Sequence, residues 1–437
     1  MESNVNQDLK VNEIDDVTEV DIAEKLSGYN EVELSAFCKR IRSDKQLAGI
    51  LEEAELKTQV RIVKILENKR ILSIFNYMKK DDIVDILGQM RIGKAKELIN
   101  LMKEGDQTII SELLGYKDDI AGGIMTTEYI SLHSSLKISE VMAKIKEIAP
   151  RTELIDTIFV VDDNKKLIGT AELRDILLAK ENSKLEEVTN RHYIYVLPET
   201  DQEEVARLAS KYNFSAVPVL SKNHAMLGII TIDDIVDVLV EEQTEDVLKM
   251  GGIAKEETLD STVPQSIRFR LPWLFVNLIT AFLASLTVKF FEGTIAQVVA
   301  LSSIMSIVTG MGGNAGTQTF TIIIRNIAMG KVTLKDSKKL LMKQILVDVV
   351  NGTVIGLVTG LIVWAIYGNF FLGVIIFLAM IANLIISGAC GILIPLILDK
   401  LHVDPALSSS IFLTTATDVL GFFIFLSLAN VFLRFLI

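Results

Sequence analysis

At 437 residues the chain is too long for a single hydrophobic core, so two or more units are expected. Its net charge of −12 is unevenly held: through Asp260 there are 33 Lys and Arg against 50 Asp and Glu, and from Ser261 onward 11 against 6. An acidic half ahead of an apolar half argues against nucleic acid as a partner and suits cations, and two distant cysteines, Cys38 and Cys390, give no disulfide framework.

The start, "MESNVNQDLK", has no apolar signal core, so no cleaved signal peptide is expected. From about Asp15 to Tyr116 apolar residues recur at helical spacing, as in "QVRIVKILENKRILSIFNYMKKDDIVDILGQM", and proline is absent. This predicts an all-α N-terminal domain of short amphipathic helices, residues 1–121.

An internal repeat follows. "TIFVVDDNKKLIGTAELRDILLA" (Thr157 to Ala179) is echoed by "SAVPVLSKNHAMLGIITIDDIVDVL" (Ser215 to Leu239). Each copy reads strand, turn, strand, helix, with Gly169 or Gly228 in the second strand and a helical segment upstream. The pattern alone predicts a duplicated α+β unit, and it resembles a tandem pair of cystathionine-β-synthase (CBS) domains, residues 122–240. Residues 241–270 then read as a charged connecting helix fading into a linker around Gly251, Gly252 and Pro264.

Residues 271–437 carry five apolar stretches, at about Leu271–Phe291, Thr294–Ile324, Leu341–Tyr367, Phe371–Leu398 and Pro405–Leu436. Each is long enough to cross about 30 Å of hydrocarbon. Arg268 and Arg270 precede the first, and Arg325, Lys331, Lys335, Lys338, Lys339 and Lys343 cluster between the second and third. The excess of basic residues predicts that the acidic half and this loop are cytoplasmic and that the C-terminus lies outside.

Three polar features interrupt the apolar half. Asp418 sits in "FLTTATDVLGFFIFLSLAN", flanked by apolar or small residues, where an ionised acid is costly and function is the default reading. It lies 14 residues beyond Asp404, about 20 Å along a helix. "GMGGNAGTQT" (Gly310 to Thr319) suggests a bent or broken helix with free carbonyls, or else close helix packing. Asn277, Asn351, Asn383 and Asp348 are scattered through the other spans. A carboxylate with amide and carbonyl oxygens is all-oxygen chemistry for a hard cation, and a single carboxylate suits one that keeps its water shell, as magnesium does. The alternative for Asp418 is a protonated packing acid. Four dispersed histidines and no nucleophile–base arrangement predict neither a zinc site nor an enzyme.

The order of domains, together with "RLPWLFVNLITAFLAS", "GMGGNAGTQT", "DPALSSSIFLTTATDVLGFF" and "AGGIMTTEY", resembles the MgtE magnesium channel/transporter family over nearly the whole chain. The resemblance implies a homodimer in the bacterial plasma membrane, with one cation path lined by the second and fifth spans. It makes Asp418 the residue that holds hydrated magnesium, with Asn314 and carbonyls near Thr414 beside it and Asp404 at the cytoplasmic mouth. It also implies a magnesium sensor formed by Asp81, Asp85, Glu128, Asp201, Glu203, Asp234 and Asp237, continued by Glu242, Glu245 and Asp246 on the connecting, or plug, helix. Arg174 and Asp175 match the family's ATP site between CBS repeats. The chain departs from the family pattern at Asn213 and Gly49, where acids are expected. The remaining alternatives are transport of another divalent cation, such as calcium, manganese or cobalt, and a membrane-anchored CBS sensor without transport.

Overall fold

A computed structural model describes residues 18–149, 152, 154–254, 257–259 and 261–436, excluding the side chains of 406–410; the polar start and residues 15–17 of the expected helical region lie outside it. The chain divides into two compact units, Met1–Leu239 and Val240–Ile437.

Among the described residues the first unit opens with eight helices of eight to ten residues: α1 (Glu19–Ser27), α2 (Glu31–Arg40), α3 (Asp44–Glu52), α4 (Leu56–Ile65), α5 (Asn68–Phe75), α6 (Lys80–Gly88), α7 (Ile92–Leu101) and α8 (Glu104–Leu113). Helices this short are marginal alone, so capping and burial hold them. Asn30 accepts from the amides of Val32 and Glu33 at 3.0 Å, and the Glu33 carboxylate accepts from the Asn30 amide at 2.8 Å. Each helix packs on the next but one, α1 on α3, α2 on α4, and so on to α6 on α8, and Leu26, Leu34, Leu47, Ile62 and Ile71 are buried in the shared core. Gly49 has a packing reason: a Cβ there would lie 2.5 Å from Glu19 Oε2 of α1. An acid at that position would meet Glu19.

The repeat folds as predicted. In the first copy, β1 (Ser131–His133) runs parallel to β2 (Thr157–Val161), which pairs antiparallel with β3 (Leu167–Glu172), flanked by α9 (Ile138–Ile148) and α10 (Leu173–Leu178). In the second, α11 (Gln202–Tyr212) precedes the antiparallel β4 (Ala216–Leu220) and β5 (Met226–Thr231), and α12 (Ile232–Met250) follows. Val160 pairs with Gly169 as Val219 pairs with Gly228, each just before a register shift. The two glycines are needed because backbone approaches them from the side: a Cβ would lie 2.3 Å from the Asn190 carbonyl oxygen and 2.7 Å from that of Thr126. Asn213 ends α11 with φ 54°, a left-handed cap that Asn adopts more readily than most residues.

In the second unit, α12 ends at Met250 and Gly252 turns with φ 70°. The remaining helices are α13 (Val263–Phe290), α14 (Glu292–Gln297), α15 (Ala300–Ala328), α16 (Ser337–Tyr367), α17 (Phe370–Lys400), α18 (Pro405–Val431) and α19 (Leu433–Leu436). Among the described residues four helical stretches are long and apolar enough to cross a membrane: Val263–Phe290, Leu334–Tyr367, Phe370–Lys400 and Ile411–Val431. The expected second span is divided into α14 and α15. At 29 residues α15 is long enough, but its glycines and Asn, Thr and Gln residues dilute its apolarity. The expected break at "GMGGNAGTQT" does not occur, because α15 runs through it unbroken. Two of its glycines serve packing instead: a Cβ on Gly312 would lie 2.2 Å from Asn383 Nδ2, and one on Gly316 3.1 Å from Leu413 Cδ1. The most buried helix is α17, which packs against α15, α16 and α18.

Candidate functional site

Two acidic constellations emerge, one in each unit. In the first, α6 begins with Asp81 and Asp82 and carries Asp85 one turn on. The "MTTEY" segment runs beside β5, with Thr126 and Ile229 exchanging backbone hydrogen bonds at 2.8 and 2.9 Å. It brings Thr126 to the Asp81 carboxylate and Glu128 into the same field. At the start of α12, Asp234 accepts from the Thr231 hydroxyl at 2.6 Å and its amide at 3.2 Å.

These carboxylates raise one another's pKa. Burial, then Asp234, pushes Asp81 up to about 6, and its Oδ1 is buried with no hydrogen-bond partner among the described residues. Burial, then Asp81 and Glu52, pushes Asp82 to about 8. Asp85, on the open rim, is pushed to about 7 by partial desolvation and then by Asp81, Asp118 and Asp234. Glu128 and Asp234 are raised too, burial being the largest cause in both.

The structure therefore brings together Asp81, Asp85, Glu128 and Asp234 of the expected sensor. It adds Asp82 and Asp118, whose adjacency to other acids in "KKDD" and "YKDD" was the only sequence signal, and Glu52 of α3, which had none. The Asp201 side chain caps α11, accepting from the Glu203 amide at 2.9 Å, and Asp201 bridges to Ile120, two residues after Asp118. Asp237 is exposed on α12. Among the described residues no three His, Cys, Asp or Glu side chains converge closely enough to hold a metal ion directly. Among the described residues the cluster is thus a crowd of carboxylates that resist shared ionisation rather than a preformed cage. On α10, Arg174 is exposed and pairs with Glu172 at 3.2 Å and Asp175 at 3.7 Å.

In the second unit, α15 and α18 pack antiparallel. A Cβ on Gly421 would lie 3.1 Å from Thr309 Cγ2, while Gly316 meets Leu413. With those two pairings fixed, Asn314 and Asp418 fall within about one turn of each other along the helix axes. Asn314 and Thr414 are exposed and Asp418 is partly so. By contrast, Asp348 on α16 is 2% exposed; Gln344 Nε2 donates to its Oδ1 at 2.9 Å.

Just before α18, Asp404 pairs with Lys249 of α12, and the same ammonium pairs with Glu245. Burial would lower the Lys249 pKa, but Asp404 and Glu245 hold it above its ordinary value. Asp246 is raised, first by burial and then by Asp404. An internal cation thus sits among three of the expected metal ligands, something acid counting could not anticipate. Glu242 lies further up the same helix.

A unit of long apolar helices with a partly exposed acid in one of them, joined to an acidic unit that carries a duplicated α+β repeat, fits the class of CBS-containing cation transporters. The family models agree: one described as a divalent cation transporter (MgtE) matches residues 305–428, the MgtE intracellular N domain matches 17–119, and the CBS domain matches 120–182 and 185–241. The chain is 30% identical over 390 residues to the magnesium transporter MgtE of Bacillus subtilis, covering 89% of this chain and 86% of that one. It is 33% identical to that of Enterococcus faecalis (75% and 72% covered) and 32% identical to that of Thermus thermophilus (81% and 80% covered). The chain belongs to the MgtE magnesium transporter family, and its relatives there are transporters rather than enzymes.

Proposed function

We propose that the protein is a homodimeric magnesium channel of the bacterial plasma membrane, admitting Mg2+ to the cytoplasm along a path lined by α15 and α18 and gated by cytosolic Mg2+. The observation that carries the transport reading is the placement of Asn314 and Asp418 within about one turn of each other on two packed helices, Asn314 exposed and Asp418 partly so; in the proposed dimer a second copy would complete the path. Asp418 holds a hydrated ion there, Asn314 and carbonyls near Thr414 share its shell, and Asp404 stands at the cytoplasmic mouth. The N-terminus is cytoplasmic and the C-terminus outside. An inward-negative potential of 100 mV assists two charges by about 4.6 kcal/mol.

In the gate, Mg2+ bridges the acidic surfaces of the first unit and of the plug helix, favouring a compact closed arrangement. When Mg2+ is scarce the carboxylates repel and the closed arrangement loses population. Support comes from Asp81, Asp82, Asp85 and Asp234, each raised in pKa by crowding with other acids or by burial. ATP as a modulator rests on Arg174 and Asp175 matching the family pattern. Mg2+ uptake into proteoliposomes is expected to fall as Mg2+ on the cytoplasmic face rises. Uptake independent of that Mg2+ would refute the gate, and a strong preference for Ca2+, Mn2+ or Co2+ would favour another divalent cargo.

Lys249 supplies part of the charge neutralisation between Glu245 and Asp404 that a divalent ion would otherwise provide. Lys249→Met is therefore expected to raise the cytoplasmic Mg2+ concentration for half-closure about threefold to fivefold, the range of a partly exposed ion pair. An unchanged midpoint in flux titrations would show that the ammonium plays no part in closure.

A further inference from the structure

Asn383 is fully buried in α17, the helix packed between α15 and α18. Its Nδ2 donates to the Val308 carbonyl of α15 at 2.7 Å. In a helix that carbonyl is overhung by the side chain four residues on, which here is Gly312. A Cβ on Gly312 would lie 2.2 Å from Nδ2, so the glycine is what lets a carboxamide reach the backbone. On the other side, Asn383 Oδ1 faces α18, where a Cβ on Gly421 would lie 2.9 Å away. Gly312 is two residues before Asn314, and Gly421 is three residues after Asp418.

One buried amide therefore touches both helices next to the residues assigned to the path. Ser387, one turn further along α17, is also fully buried and lies against Gly312, where a Cβ would sit 2.9 Å from its hydroxyl oxygen. Asn383 Oδ1 and Ser387 Oγ have no hydrogen-bond partner among the described residues. Buried polar atoms without partners cost stability, and an apolar side chain of similar volume would avoid that cost. A polar group held at such a junction is suited to fixing the register of its neighbours.

We propose that Asn383 is a positioning residue for cation selection: it clamps α15 and α18 at the spacing that sets the distance between Asn314 and Asp418. The proposal rests on the reading that these helices line the path. Asn383 does not touch the ion and acts through the two helices it holds. Loss of the clamp loosens the fit to the hydrated ion, so selectivity changes along with rate.

The test is Asn383→Leu in full-length protein, reconstituted in proteoliposomes, with Mg2+ and Ca2+ fluxes measured beside thermal unfolding in detergent. The variant is expected to stay folded, to lower Mg2+ flux about fivefold, the factor one net hydrogen bond sets, and to shift the Mg2+ to Ca2+ flux ratio. Gly421→Ala, which crowds Oδ1, is expected to shift the ratio in the same direction, with the double variant less than additive. A folded Asn383→Leu protein with wild-type flux and ratio overturns the proposal; if that variant does not fold, an unshifted ratio in Gly421→Ala does so. Lost flux in Asp418→Ala beside wild-type behaviour of Asn383→Leu would refute the clamp and leave the path. Wild-type flux in Asp418→Ala beside a shifted ratio in Asn383→Leu would refute the path and leave the clamp.

Discussion

Replacing Asp418 with alanine is expected to remove nearly all Mg2+ flux while the protein still folds. At an effective dielectric constant of about 20, a carboxylate about 5 Å from a hydrated divalent ion attracts it by roughly 6–7 kcal/mol. Desolvation offsets much of this, but every 1.4 kcal/mol that survives is about a tenfold change in occupancy. Asp418 is partly exposed, so its removal opens no cavity in the core and the variant's fold is not at risk. Asp418→Asn separates charge from shape, and it is expected to lose most of the flux too. Tracer uptake of Mg2+ into proteoliposomes is the measurement, with size-exclusion behaviour as the folding control. Full flux in a folded Asp418→Ala variant would mean that the acid serves helix packing.

Without divalent cations, the thermal stability of the full-length protein is expected to fall between about pH 5 and pH 8, and Mg2+ to restore it at the upper end. Asp81, Asp82 and Asp85 have folded pKa values of about 6, about 8 and about 7, against ordinary carboxylate values near 4 in the unfolded chain. Between these values the folded state binds more protons than the unfolded state, so stability declines as pH rises. Below the unfolded pKa the effect vanishes, and above the folded pKa it is complete. For a unit of this size each kcal/mol corresponds to about 2–4 °C in Tm. Replacing Asp81 and Asp85 with Asn is expected to flatten both the pH and the Mg2+ dependence. Differential scanning fluorimetry across this range decides it: a Tm that neither falls with pH nor responds to Mg2+ would show that the cluster does not act as a unit.

The residues proposed for the sensor were legible to different degrees. Asp81, Asp85, Glu128 and Asp234 could be named because they stand in family motifs, and they do converge. Asp201 could be named on the same ground, and it also caps α11. An acid at a helix start has the same appearance in sequence whether it holds the first turn or faces a partner. Asp82 joins the cluster through Asp81 on its own helix and Glu52 of α3, and Asp118 through its approach to Asp85. The absence of a tight three-ligand group among the described residues could not have been inferred from acid spacing, since direct coordination depends on side-chain directions across elements.

The sequence alone determined what is periodic and local. That includes the short amphipathic helices, the duplicated strand–turn–strand–helix units with Gly169 and Gly228 in equivalent places, and the long apolar stretches from Leu271 onward. These follow from interactions over three or four residues, or from composition over about twenty. Tertiary structure alone decided that α15 stays unbroken, because Gly312 and Gly316 receive side chains of α17 and α18 instead of freeing carbonyls. It also decided that Lys249 meets Asp404, 155 residues away, and that Asn383 reaches Val308, 75 residues away. A glycine, a lysine or an amide leaves the same local trace wherever its partner lies, and only packing of distant helices chooses that partner.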